Sequence, residues 1–170
     1  MFKLLRRQKA DQGNFLASQL YDQDTFYKAF ICDLGNCTSQ VIIESPFITR
    51  RRMRSMLPVL RRLTKRGVRV IINTRNPLEH KDIYYQIQAQ EAVADLQNID
   101  IIVLYTAGHH RKVALLDNAI IWEGSLNILS HNDSCEIMRR TMSASLAHQM
   151  ACFLKLEKYF IRQGGSNDRY

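Results

Sequence analysis

The chain has 170 residues, of which 46% are hydrophobic and 24% charged, with a formal net charge of +8. That length suits one domain with a sizeable core, and that balance excludes a wholly disordered chain. Nothing in the sequence approaches the ~20 apolar residues of a membrane-spanning helix, so no membrane partner is expected.

The opening stretch, Met1-Phe2-Lys3-Leu4-Leu5-Arg6-Arg7-Gln8-Lys9, is basic and lacks the apolar core of a signal peptide. A cytoplasmic location is therefore expected. Residues 1–19 are read as a basic N-terminal segment, 20–162 as the folded domain and 163–170 as a flexible tail carrying Gly164-Gly165-Ser166-Asn167. Cys32, Cys37, Cys135 and Cys152 form no C-x-x-C pair and show no metal spacing. They read as reduced thiols, and a Cys32–Cys37 bridge belongs only to a secreted form.

Phe26, Tyr27, Phe30, Ile31 and Leu34 recur at helical spacing, which predicts a helix over Asp22 to Asp33, with Asp24 as a cap and Gly35-Asn36 as the stop. The aromatic stripe is read as core. Val41 to Glu44 is a short apolar strand closed by Ser45-Pro46. Met53, Met56, Leu57, Leu60 and Leu63 mark one face of a helix surrounded by arginines. Pro58 lies within it, so the helix either begins near Ser55 or kinks at the proline. Gly67 ends it, and Val68 to Asn73 is the next strand, with Val68, Val70 and Ile72 on one face.

Thr74 to Lys81 is a polar loop after a strand end, where ligand loops gather in α/β folds, so Arg75 and Lys81 are candidate substrate contacts. Ile83 to Leu96 is helical, and Ile99 to Leu104 a buried strand. Tyr105 is a core residue, a rim residue or a platform for a base. Ser134 to Met138 is a candidate strand, and Ala144 to Ile161 a final amphipathic helix carrying Leu146, Met150, Phe153, Leu154, Leu156 and Phe160. Strands alternating with helices imply an α/β/α sandwich.

Charge is unevenly placed. Residues 1–75 hold fifteen Lys and Arg against five Asp and Glu, a balance of +10, and the remainder balances at −2. The densest run is Arg50-Arg51-Arg52-Met53-Arg54, and no acidic residue lies between Ser45 and Leu78. A field of that kind collects a polyanion, which makes Arg50, Arg51, Arg52 and Arg54 candidate nucleic-acid contacts. It would also attract an anionic membrane surface.

The most informative segment runs from His110 to Asn127, with the pattern H-x-K-x4-D-x6-G-S-x-N formed by His110, Lys112, Asp117, Gly124, Ser125 and Asn127. Residues two apart on an extended strand share a face, so His110 and Lys112 point the same way. Val113 to Leu116 and Ala119 to Trp122 read as two strands around a tight turn, hence antiparallel, which makes the sheet mixed. A phosphodiester is anionic, and a neutral imidazole is a suitable nucleophile toward it near pH 7. Lys112 supplies charge where it builds up on phosphate oxygens, and Ser125 and Asn127 donate hydrogen bonds there. Glu136 is a candidate to hold the other ring nitrogen of a histidine. Asp117 ends the strand and is a candidate for organising the site. The small residues Gly124 and Ser125 would let backbone approach a phosphate.

This pattern resembles the phospholipase D, or HKD, superfamily, and the likeness extends over roughly residues 20 to 162, including Val41-Ile42-Ile43-Glu44-Ser45-Pro46-Phe47. The family builds one active site from two such motifs. A chain with one motif resembles the short bacterial nucleases of the family, which the resemblance implies is a half-unit that dimerises about a twofold axis. It further implies that His110 of one subunit attacks phosphorus, that a phosphohistidine forms, and that His110 of the other protonates the leaving oxygen. Lys112 and Asn127 of both subunits then clamp the phosphate, with Ser125 assisting, and neither metal nor cofactor is needed. The expected function is a metal-independent nuclease, DNA before RNA and endonuclease before exonuclease. The alternatives are a phospholipid hydrolase or phosphatidyl transferase, and a nucleic-acid-binding module of a DNA-processing or defence complex. A helicase or restriction partner is an expectation by analogy alone.

Overall fold

The computed structural model describes residues 17–130 and 134–159. The expected tail and most of the basic N-terminal segment lie outside those residues, as does Phe160. Among them, strands β1 (Ala17–Asp22), β2 (Gln40–Glu44), β3 (Arg69–Thr74), β4 (Ile102–Tyr105), β5 (Val113–Leu116), β6 (Ile120–Gly124) and β7 (Ile137–Met142) alternate with helices α1 (Phe26–Asn36), α2 (Arg50–Lys65), α3 (Ile83–Gln97) and α4 (Ala144–Phe153). The strands form one sheet in the order β1-β7-β6-β5-β2-β3-β4. β2, β3 and β4 are parallel, and the pairs β2–β5, β5–β6, β6–β7 and β1–β7 are antiparallel. The expected α/β/α sandwich with a mixed sheet is therefore present.

The two layers of helix are unequal. Alternation along each strand sends Val41, Ile43, Val70, Ile72, Ala114 and Leu116 to one face, where α1, α2 and α3 bury them. Ile42, Ile71, Val113, Leu115 and Ile121 go to the other, which α4 covers with Ala147, Ala151 and the following Leu154 and Leu156. The aromatic stripe of α1 is core, as expected: Phe26 and Phe30 stack at 5.0 Å, and Trp122 of β6 meets Phe26 edge-on at 5.2 Å.

Several boundaries depart from the sequence reading, each for a local reason. Asp22 is not helical. It closes β1, a strand the periodicity did not reveal, and its carboxylate accepts hydrogen bonds from the backbone of Asp24 and Thr25. The helix then starts at Phe26, with Thr25 rather than Asp24 at its cap. α2 runs unbroken from Arg50 to Lys65 through Pro58, capped by the Thr49 side chain. β4 lies at the sheet edge, so Ile102 is exposed instead of buried, and Tyr105 is exposed as well. α4 stops at Phe153, and Lys155 follows with φ +57. That leaves Phe153 82% exposed rather than in the core. No helix among the described residues is long and apolar enough to cross a membrane.

The turn between β5 and β6 explains its own sequence. Asp117 and Asn118 both take positive φ, +49 and +54. That matches a type I′ turn, which Asp and Asn tolerate better than other side-bearing residues.

Candidate active site

The C-terminal ends of β2, β3 and β6 and the N-terminal ends of β5 and β7 share one rim of the sheet, since Glu44 pairs with Asn73 and Val113, Val113 with Glu123, and Gly124 with Met138. Most of the candidate catalytic residues sit on this rim. His110 and Lys112 immediately precede β5, and their side chains meet on one side as alternation requires: Lys112 Nζ lies 2.8 Å from His110 Nδ1. The ammonium also donates to the His110 carbonyl at 2.7 Å. The same ammonium lies 3.3 Å from Nε2, so it stands across both nitrogens of the ring.

Burial pulls the Lys112 pKa below its ordinary value; Glu136 opposes this and Arg75 adds to it. The Ser125 and then the Ser134 hydroxyl hold the Glu136 carboxyl below the ordinary range, and Lys112 adds to the effect. Glu136 therefore stands just before β7 as an anion facing the motif lysine. It was expected to hold a histidine ring. Within one copy its carboxylate accepts from the Ser134 hydroxyl at 2.6 Å, while His110 is in contact with Lys112. Ser125 is tied to β7, where its hydroxyl accepts from Ile137 N at 3.1 Å. Gly124 has a structural reason of its own: a Cβ there would lie 2.1 Å from the Ile137 carbonyl oxygen, so the close approach of β7 excludes any side chain.

Asn127 lines a recess of about 370 Å³ with Arg52, Tyr27 and Glu136. The Tyr27 hydroxyl donates to the carbonyl of Ile128 at 3.0 Å and thereby holds the loop that carries Asn127. Arg52 lies flat on the Tyr27 ring, 3.4 Å from its centre. Burial pushes the Tyr27 hydroxyl up to about 12, against the lowering effect of Arg52. The hydroxyl thus stays protonated and donating. Of the four arginines expected to bind nucleic acid, Arg52 is the one that enters the site. Arg50 is paired with Glu91 at 3.0 Å, an acidic partner contributed by α3 that a scan along the chain does not disclose. Arg51 and Arg54 are exposed on α2, and Lys81 on the loop before α3. Arg75 supports the motif from behind: its Nε donates to the His109 carbonyl at 2.6 Å.

Asp117 is elsewhere. It follows β5, so the length of that strand separates it from Lys112. Its carboxylate accepts from the backbone N–H of Thr38, Ser39 and Gln40 at 2.8, 2.9 and 3.0 Å and from both neighbouring hydroxyls. Burial alone would raise its pKa, but the Gln40, Ser39 and Thr38 N–H groups together outweigh burial and hold it below the ordinary value. Its role is to pin the start of β2. Asp117→Ala should therefore cost about 2 kcal/mol of stability, while activity per folded molecule stays unchanged. A folded pKa below the unfolded one contributes stability that is complete above the unfolded value. That contribution is lost as pH falls through the folded value. Thermal melts of the two proteins should thus converge in acid and separate toward neutrality; a constant gap would refute this role.

The sequence reading missed a buried network under the motif. Glu44, at the end of β2, is 1% exposed. Its carboxylate takes both Nε and Nη2 of Arg111, and Asn73 Nδ2 at 2.8 Å. Asn73 in turn accepts from Thr106 at 3.0 Å. Arg111 is the residue between His110 and Lys112, and alternation sends it away from them, down onto Glu44. A carboxylate at the end of an apolar strand was the only signal of this in the sequence. His109 is buried at 3% exposure, with neither ring nitrogen hydrogen-bonded among the described residues. Burial lowers its pKa, so it packs as a neutral ring.

This fold, with one H-x-K segment on its rim, defines a phospholipase D-like half-unit. The chain belongs to the phospholipase D superfamily: residues 30–156 match the family described as cardiolipin synthase, PLD-like domain. Its fold is similar to that of Nuc, a phospholipase D family member from Salmonella typhimurium, with TM-score 0.65 at 16% identity over 82% of this chain and 91% of that one. NucT from Helicobacter pylori is similar with TM-score 0.61 at 18% identity, over 85% and 97% of the two chains. Phosphatidylserine synthase from Haemophilus influenzae gives 0.63 at 14% identity, over 89% of this chain and 40% of that one. No curated protein matches the sequence.

Proposed function

We propose that the chain is a metal-independent phosphodiesterase that hydrolyses nucleic acid, a DNA endonuclease by preference, at a site completed by a second copy. The observation that carries this reading is the contact of His110 with Lys112 on the open rim of a phospholipase D-like fold. One His110 attacks phosphorus, forming a P–N bond as the P–O bond to the leaving group breaks. The second copy's His110 gives its proton to the departing oxygen. Water then attacks the phosphohistidine, passes its proton to that second histidine and frees the first. Lys112 and Arg52 neutralise the phosphate oxygens, and Asn127 donates hydrogen bonds to them, with Ser125 assisting. The domain is taken as residues 20–162, although β1 begins at Ala17, inside the segment expected to precede it.

Charge supports nucleic acid. The first turn of α2 carries Arg51 and Arg54 exposed beside the Arg52 recess. Replacing both by Ala should lower the slope of log affinity against log salt by about one to two units. An unchanged slope would leave these arginines as a solvated helix face. A second reading, a phospholipid hydrolase or phosphatidyl transferase, draws on a different observation. A groove of about 700 Å³ beside His110 is lined by Leu20, Val113 and Ile137, apolar groups that would suit a lipid.

The deciding experiment is cleavage of matched single- and double-stranded DNA and RNA in EDTA, with phospholipid vesicles in parallel. Cutting that survives chelation supports the nuclease; turnover of lipid alone overturns it. Sedimentation should show a dimer, and activity should fall on dilution below its dissociation constant. A fully active monomer would defeat the shared site.

A further inference from the structure

Beside the phosphate-handling recess lies another, of about 310 Å³, that hydrolysis itself does not use. Its walls are aromatic. Phe47, just after β2, lies 5.5 Å from His80, and His80 lies 6.5 Å from Tyr85 in the first turn of α3. The Arg75 guanidinium stands 5.0 Å from the centre of Phe47. The Gln88 amide adds a polar edge. Burial and then Arg75 lower the His80 pKa, so this imidazole is a neutral ring near pH 7. Asn127 lines both this recess and the one that holds Arg52 and Glu136, and its Oδ1 is buried without a hydrogen-bond partner among the described residues.

An occupant of this recess must be flat, to lie against tilted rings, and polar at its edge, to use Gln88 and Asn127. It must also be joined to an anion, because Asn127, on the shared wall, borders the recess that holds Arg52. We propose that the recess receives an unpaired nucleobase of a single-stranded nucleic acid whose neighbouring phosphate is the one cut at His110. This rests on the nuclease reading and narrows its substrate class. A base inside a duplex has both faces stacked and its edge paired, so it reaches such a recess only after being turned out of the helix. A lipid chain would gain nothing from the neutral imidazole and the amides. Stacking on aromatic side chains tolerates every base, so the recess selects strandedness over sequence.

The test uses short single strands carrying one 2-aminopurine, walked along the strand, and matching strands with an abasic site at the same position. Wild-type protein should quench the aminopurine at one position and bind the intact strand about tenfold more tightly than the abasic one. Tyr85→Ala should abolish that quenching and that preference while binding the abasic strand as before. Tyr85→Phe should behave as wild type, and Phe47→Ala as Tyr85→Ala. Intact and abasic strands bound alike by wild type, with both still cut, would overturn the recess and leave the nuclease standing. No binding or cutting of any nucleic acid would overturn both. Loss of the dimer in Tyr85→Ala, read by sedimentation, would assign these rings to a second copy and overturn the recess.

Discussion

His110→Ala is expected to abolish hydrolysis while leaving substrate binding almost intact. In a site shared by two copies the same position supplies both nucleophile and general acid, so one substitution removes both. Removing groups that act as a unit is not additive, and the fall should be at least about 10⁴-fold in kcat. Binding should change by no more than about threefold, because Lys112 and the α2 arginines carry the charge that holds a phosphate. Wild-type protein quenched during turnover should carry phosphate in an alkali-stable, acid-labile linkage, and His110→Ala should carry none. Mixed dimers with one altered copy keep a nucleophile and lack an acid. They should accumulate the adduct from substrates with a good leaving group. Full activity in His110→Ala would sink the assignment.

Glu44→Gln should have the next largest effect, although this residue touches no substrate. Glu44 anchors Arg111, which stands between the two motif residues, so its carboxylate sets where the H-x-K backbone lies. The neutral amide can still meet Asn73 but no longer balances the guanidinium. A displacement of about 1 Å at the reacting groups is worth about 10²-fold in rate, and kcat should fall by that order with KM little changed. Glu44→Ala goes further. It leaves Arg111 without its partner, and since Arg111 is 41% exposed the stability cost lies at the low end for a broken buried pair, about 3 kcal/mol. A purely structural role predicts lower stability with normal kcat in the folded fraction, and that result would refute positioning.

The contrast between these two residues shows what one-dimensional reading can reach. The meeting of His110 and Lys112 was legible because it depends on fixed spacing along a strand. The aromatic core of α1 and the shared face of Val68, Val70 and Ile72 were legible because periodicity reports burial. Glu44 was not, since its partner lies sixty-seven residues away and the pair forms only when β2 and β5 come together. The same holds for Tyr27, whose ring reads as core until its hydroxyl is seen holding the loop of Asn127. Asp117 shows the opposite error. It belongs to the motif by spacing, but it serves the far rim. Proximity in sequence to His110 and Lys112 did not mean proximity in space. β1 was invisible because an edge strand with one solvated face carries few apolar residues to reveal it.

The pairing of β1 with β7 has a consequence for how this protein is made. Ala17 lies opposite Met142, so the first described strand waits for the last one before it has a neighbour. The β5–β6 hairpin closes locally and quickly, but this contact spans most of the chain and is slow for that reason. During synthesis β1 leaves the ribosome long before β7 exists. Until then the open edges of β1 and β6 are exposed to other nascent chains. Slowing translation before β7 has left the ribosome should therefore favour aggregation over folding, whereas a pause after β7 has emerged should be harmless.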